Sequence, residues 1–337
     1  MNILQKFYTQ KALNKWFILI ILIIILFIVT LLSICLGSVK VSLSDITDAL
    51  FNHNEDSTYY KIIHFVRFPR TIAAILAGAS LSVSGAILQA VLNNNLAAPS
   101  IIGVNSGSGL FVLLASSFFS THFLISWAAF LGALSAALIV YLITLKTGAS
   151  KITIVLAGVA VSSFLNAGID ALITFFPNNI NSITDFKIGG LSGATSSSLY
   201  FPAIFIFIGL TAAILFSFDM NILSLGDDIA TSLGMKVKLY RFILIVIAAL
   251  LAGSAVSFAG LLGFVGLIVP HAARLLIGSD NRMVIPISAL LGGIFVTVCD
   301  LLARLLFSPY EIPVGIIMSF LGGPFFIYLL IRRKREG

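Results

Sequence analysis

Hydrophobic residues in this 337-residue chain run in long unbroken blocks, with short polar stretches between them. The first block, Trp16 to Gly37, carries no charged residue. About 20 apolar residues take a helix across the hydrocarbon core of a bilayer, so blocks of this length predict membrane-spanning helices. Ten are legible: 16–37, 70–92, 100–120, 123–145, 151–176, 199–218, 240–259, 261–277, 284–306 and 313–331. None shows the apolar–polar alternation of a membrane barrel strand. The pattern predicts an all-α, polytopic membrane protein of about ten transmembrane helices, forming a single transmembrane domain over 1–337.

Composition agrees: 59% of residues are hydrophobic, 10% are charged, and the mean hydropathy is +1.11. Soluble domains carry about 25% charged residues, and disorder needs low hydrophobicity, so both classes are excluded. The first block is longer than a signal-peptide core and lacks a small-residue cleavage site, so it reads as a retained helix. Cys35 and Cys299 each lie inside an apolar block and read as packing residues, not as a disulfide or metal pair.

A net charge of +7 and a pI near 9.5 would suggest nucleic acid in a soluble protein. In a membrane protein the same excess reports topology, because cytoplasmic loops collect Lys and Arg. With ten spans both termini share one side. Placing them in the cytoplasm puts fourteen basic residues inside, from Lys6 to the tail Arg332–Arg335, against six outside. The six are Lys40, Lys61, Arg67, Arg70, Lys187 and Arg304. Cytoplasmic termini and no nucleic-acid partner are the expectation.

The segment Leu76–Gly85 echoes Leu251–Gly260, in helices that cross in opposite directions under this count. Small residues recur in any tightly packed membrane helix; the sharper reading is an inverted repeat, an architecture of many transporters. The charged positions also carry two readings each. Arg67 and Arg70 flank a helix start and either anchor to headgroups or offer bidentate forks to carboxylates. Asp300 and Arg304 stand four apart, suited to an intrahelical pair, yet Arg304 is close enough to its helix end to join the other arginines on one face. The longest inside loop, about 219–239, holds a short helix started by Gly226, Asp227 and Asp228 and stopped by Gly234 before Met235. Ile229, Ala230 and Leu233 form its apolar stripe, which packs either on the membrane domain or on a partner.

No metal or cofactor site is expected: His271 beside Arg274 is a poor ligand set, and His53, His64 and His122 lie elsewhere. The chain has no phosphate-cradling Gly-x-x-x-x-Gly-Lys-Ser/Thr loop and no hydrolase motif, so no catalytic residue is assigned and nucleotide energy must come from another polypeptide. An ion-driven secondary transporter would carry buried ionisable relays; here only Asp170 and Asp300 are candidates.

The motifs, in order, resemble the permease subunits of binding-protein-dependent ABC importers for iron–siderophores, haem and cobalamin, over almost the whole chain. The carrying stretches are Arg67-Phe68-Pro69-Arg70, Ala77-Gly78 through Ser84-Gly85 to Gln89, and Asn94 to Pro99 with Gly103-Val104. Leu225-Gly226 through Leu233-Gly234, Ala259-Gly260 to His271 with Arg274, Asp300 through Arg304, and Glu311 to Phe325 complete them. Asn95 departs from the family, which usually has proline there. The resemblance implies the inverted-repeat fold of type II importers, with iron–siderophore as the first cargo expectation and haem or cobalamin as alternatives. It also implies three partners: a substrate-binding protein, an ABC ATPase dimer and a second permease, identical or paralogous. It implies that Arg67, Arg70 and Arg304 receive salt bridges from the binding protein. The loop holding Gly226, Asp227, Asp228, Ile229, Ala230, Leu233, Gly234 and Met235 would act as the ATPase-coupling helix, and Lys151, Ile152 and Thr153 would lie near the inner gate.

Overall fold

A computed structural model describes the backbone of residues 3–39, 41, 42, 45, 47, 57–119, 121–147, 151–176 and 180–336. Side chains are described for these except 3–14, 122, 180–182 and 326–336; Lys40 and His53 lie outside the described residues. Every regular element among them is helical. The first five helices are α1 (Ile3–Cys35), α2 (Thr58–Leu92), α3 (Val104–Phe118), α4 (His122–Lys146) and α5 (Lys151–Phe175). Next come α6 (Ile180–Ile188), α7 (Ser196–Leu215), α8 (Ser217–Ser224) and α9 (Asp227–Ser232). The last four are α10 (Val237–Ala259), α11 (Val265–Ile277), α12 (Asn281–Leu305) and α13 (Val314–Glu336).

All ten predicted blocks are helices. Seven (α1, α2, α4, α5, α7, α10 and α12) are long and apolar enough to cross a membrane, whereas α3, α11 and the apolar part of α13 are shorter. The short ones begin late. A tight turn, Pro99–Ile102, precedes α3, and irregular chain over 260–264 precedes α11. Asn95 sits in a turn that closes without the family's proline: the Asn94 side-chain oxygen accepts the Leu96 N–H at 3.0 Å, an Asx turn.

Helix α2 is the axis of the core, with 83% of its apolar window buried, against 17% for α1. Lipid tails give no hydrophobic drive for helices to associate, so close backbone approach and interhelical hydrogen bonds must do it. The Ala/Gly/Ser run of α2 supplies both. A Cβ on Gly78 would collide with the carbonyl of Gly292 in α12, and one on Gly85 with the carbonyl of Gly266 in α11. Ser82 Oγ donates to the Ser288 carbonyl and Ser84 Oγ to that of Ala248, both at 2.7 Å. Such bonds average about 0.6 kcal/mol in a membrane, so most of the adhesion is van der Waals contact at the glycines.

The halves α2–α5 and α10–α13 are inverted repeats. Their packing partners exchange: α2 lies on α12, and α10 lies on α4. The residue capping α3, Gly103, and the residue capping α11, Phe264, both have positive φ, 78° and 65°. Gly158 of α5 presses on the carbonyl of Ile101 before α3, as Gly322 of α13 presses on Phe264 before α11. The sequence echo is not the register of this repeat, however. Leu76–Gly85 lies in the middle of α2, whereas Leu251–Gly260 ends α10. Those two segments look alike because both face helix crossings, Gly253 meeting Ala133 of α4 as Gly78 meets Gly292.

Candidate functional site

The end of α1, the start of α2, the end of α12 and the turn before α13 meet at one face of the bundle, termed here the arginine face. The structure brings the three predicted arginines together there and buries them: Arg67 and Arg70 are 4% exposed and Arg304 is 2% exposed. Isolated buried charges are prohibitive, and each guanidinium is matched from within the chain. Arg67 donates to the carbonyls of Ile34 (2.9 Å), Cys35 (2.7 Å) and Val39 (2.6 Å). Arg304 donates to the Ser33 carbonyl at 3.1 Å, the Leu36 carbonyl at 3.3 Å and Ser33 Oγ at 2.7 Å. The last carbonyls of a helix have no intrahelical donor, so two arginines from neighbouring helices cap α1.

Asp300 is fully buried and serves two of the cations. Its Oδ2 lies 3.1 Å from Arg304 Nε, the expected i,i+4 pair, and its Oδ1 lies 3.0 Å from both Nε and Nη2 of Arg70. Arg70 Nη1 reaches past it to Glu311 Oε2 at 2.5 Å, and Ser38 Oγ donates to Glu311 Oε1 at 2.7 Å. Three guanidiniums against two carboxylates leave one net positive charge. Burial tends to raise the Glu311 pKa. The bonds from Arg70 and Ser38 and the charges of Arg70 and Arg304 outweigh it and hold the carboxyl below its usual range. The charges of the motif thus gather as expected, but as a satisfied buried network instead of an open cationic surface.

Because Ser38 meets Glu311, α1 ends and α13 begins at the arginine face, and the start of α1 and the end of α13 lie toward the opposite one, termed here the face of the termini. There α8 is fixed to the start of α12: Asn221 Oδ1 accepts the Asn281 N–H at 2.8 Å, and Asn221 Nδ2 donates to Asp280 Oδ1 at 2.8 Å. Asp280 also caps α12 by accepting the Arg282 N–H at 3.1 Å. Helix α9 follows, bounded by Gly226 (φ 108°) and Gly234 (φ 82°), conformations that favour glycine. Asp227, its first residue, accepts two bonds from Arg241 Nη2 at 2.8 and 2.9 Å and lies 3.8 Å from Lys151 Nζ of α5. Asp228 is exposed beside it. Asp227 of the loop expected to couple and Lys151 of the segment expected near the gate, far apart in sequence, therefore pair.

The predicted stripe on α9 splits. Ala230 is fully buried against the domain and Met235 is buried behind it, while Ile229 and Leu233 point outward, 51% and 62% exposed, and Leu225, just before the helix, is 56% exposed. Residues four apart share a helix face and an adjacent one does not, so Ala230 cannot stand in the same row. Nearby, Arg274 donates to Gln89 Oε1, and Gln89 Nε2 donates to the Gly266 carbonyl at 3.2 Å, tying α2 to α11 through two residues of the family motif. Ile152 is exposed and Thr153 half-buried in the first turn of α5. Along α5, Leu156, Val159, Ser163, Phe164, Asn166 and Asp170 are also exposed, an uncovered face that mixes apolar and polar groups.

Sequence reasoning missed the Asn221–Asp280–Asn281 cluster and α6. Asp280 ahead of a helix is a readable cap; nothing in the sequence marks Asn221 as its partner.

A model of the FecCD transport family matches residues 23–332. The chain belongs to the FecCD transport family. This FecCD chain is 39% identical to the iron(3+)-hydroxamate import system permease protein FhuB of Bacillus subtilis, over 98% of this chain and 86% of that one. It is 35% identical to the Fe(3+)-citrate import system permease protein YfmE of the same organism, covering 98% and 100%. Among solved structures, a metal-chelate type ABC transporter in an inward-facing conformation superposes with a TM-score of 0.84 at 28% identity, over 94% of this chain and 99% of that one. The chain is a multi-pass membrane protein with a transport role in an ABC importer.

Proposed function

We infer that this FecCD chain is the permease subunit through which a ferric–siderophore complex crosses the cytoplasmic membrane, driven by ATP hydrolysed on a separate subunit pair. The observation that carries this reading is the group of exposed apolar side chains Leu225, Ile229 and Leu233, on and immediately flanking a glycine-bounded helix at the face of the termini. A helix this short is marginal alone, and three large apolar side chains in water are a docking surface for another protein. The chain itself has no nucleotide-binding loop, so the energy must arrive through such a contact. The named relatives import ferric hydroxamate and ferric citrate, which supports an iron chelate as cargo.

The excess of basic residues at the face of the termini supports their placement in the cytoplasm, and this sets the arginine face toward the binding protein. There Arg67, Arg70 and Arg304 are the docking cations, with Arg67 and Arg304 fixing the frame in which Arg70 is presented. Inside, the loop from Gly226 to Met235 receives ATPase motion, and Asp227 passes it to Lys151 at the start of α5, near the inner gate at Ile152 and Thr153. The uncovered face of α5 suits contact with a second permease copy or paralogue across a wide, wet pathway, because Ser163, Asn166 and Asp170 would be costly against lipid.

The test is reconstitution in proteoliposomes. Uptake of ferric hydroxamate is expected only with the ATPase, ATP and binding protein all present; uphill uptake driven by an ion gradient in the absence of the ATPase would overturn the importer reading.

A further inference from the structure

The buried network at the arginine face contains one charged member that water can reach. Asp300 is sealed, but the Glu311 side chain is 32% exposed while holding Arg70 Nη1. Arg67 and Arg304 are committed to main-chain carbonyls at the end of α1, and withdrawing them would leave that helix end uncapped. Arg70 differs. Its Nε and Nη2 stay on Asp300, and only Nη1 is spent on a group that can leave.

We propose that Glu311 is a placeholder carboxylate, filling the outer half of the Arg70 fork until a carboxylate of the extracytoplasmic binding protein displaces it. This deepens the docking reading above and rests on it. Glu311 sits in the irregular turn between α12 and α13, over 306–313, so its side chain can swing outward without unwinding a helix. The same turn presents Leu306, Phe307 and Tyr310 to solvent, the last 80% exposed, and aromatic groups around a charged centre are what a protein interface uses. Exchange conserves charge. Removing the Glu311 carboxylate leaves three guanidiniums with Asp300 as the single carboxylate of the network, and an incoming carboxylate restores the balance. The net gain of docking is then the difference between two similar ion pairs, which keeps the complex weak and reversible, as repeated delivery requires. The partner must therefore be acidic where it meets Arg70, and the turn itself competes with it.

The experiment titrates the binding protein that sustains uptake through this permease, loaded with ferric hydroxamate, against the full permease–ATPase complex in nanodiscs at fixed salt. Glu311→Gln keeps the shape and a hydrogen-bond acceptor for Arg70 but removes the competing charge, so docking should tighten by roughly five- to tenfold. Glu311→Asp, whose shorter arm holds Arg70 less well, should tighten it in the same direction by less, and it decides the matter if the Gln variant does not assemble. Wild-type docking with unchanged or weaker binding in these variants overturns the placeholder and leaves the docking reading standing. No measurable docking of the wild-type complex overturns both.

Discussion

At the arginine face, charges are sunk among carbonyls and carboxylates of their own chain. At the face of the termini, a six-residue helix and its flanks leave isoleucine and leucine side chains in water. Both regions look alike in sequence, short polar stretches with charges next to a helix start, yet they solve opposite problems. The arginines sit where dielectric screening is poor, so every charge must find a partner within the fold before any visitor arrives. The α9 stripe faces water, where an uncovered apolar side chain costs little by itself and gains when a partner covers it. A charged contact of the first kind is available only by exchange, and an apolar contact of the second kind is available outright.

The largest effect should come from removing the shared anion. Asp300→Ala leaves Arg70 and Arg304 facing each other with only Glu311 between them and solvent. Breaking a buried pair by deleting one partner costs about 3–5 kcal/mol. The expected outcome is a sharp fall in folded permease recovered from membranes and in its thermal midpoint in detergent, with Asp300→Asn less severe because it still accepts hydrogen bonds. Wild-type stability for Asp300→Ala would mean that the network does not hold this face together.

Next in size is the opposite kind of site. Ile229→Asp and Leu233→Asp put charge on an exposed face, where substitutions change stability by about 0.5 kcal/mol or less. They should weaken ATPase co-purification at least about tenfold, the loss expected for an interface anchor, with uptake falling in parallel. A variant that unfolds the permease instead would show the stripe to be part of the domain core, like Ala230.

These contrasts explain what was legible in the sequence. The ten helices could be read because lipid demands uninterrupted apolar runs, and the short α9 because Gly226 and Gly234 punctuate it. The pairing of Asp300 with Arg304 follows from their spacing on one helix. What could not be read is burial at a helix end. Arg304 lies four residues beyond Asp300 near the mouth of its span, and nothing local distinguishes a cation that surfaces from one that caps the carbonyls of a helix 268 to 271 positions away in the chain. The repeat register escaped for a related reason: small residues mark close crossings, so Leu76–Gly85 and Leu251–Gly260 look alike although one lies in the middle of its helix and the other at the end.

The smallest effect tests how far the link from α9 to α5 depends on charge. Asp227 has two cationic partners of unequal worth: Arg241, 3% exposed and bonded at 2.8 Å, and Lys151, 29% exposed and 3.8 Å away. An exposed pair at that separation contributes about 0–1 kcal/mol and is screened by salt, whereas the Arg241 contact is shielded and survives without the lysine. Lys151→Ala should therefore leave the thermal midpoint nearly unchanged and lower ATP-driven uptake by less than about fivefold, with the difference shrinking as salt rises. Lys151→Glu, which sets a like charge against Asp227, should cost somewhat more and show the same salt dependence. If Lys151→Ala instead abolishes uptake while the ATPase stays bound and active, the lysine does more than neutralise Asp227, and α5 takes its motion through the gate residues themselves.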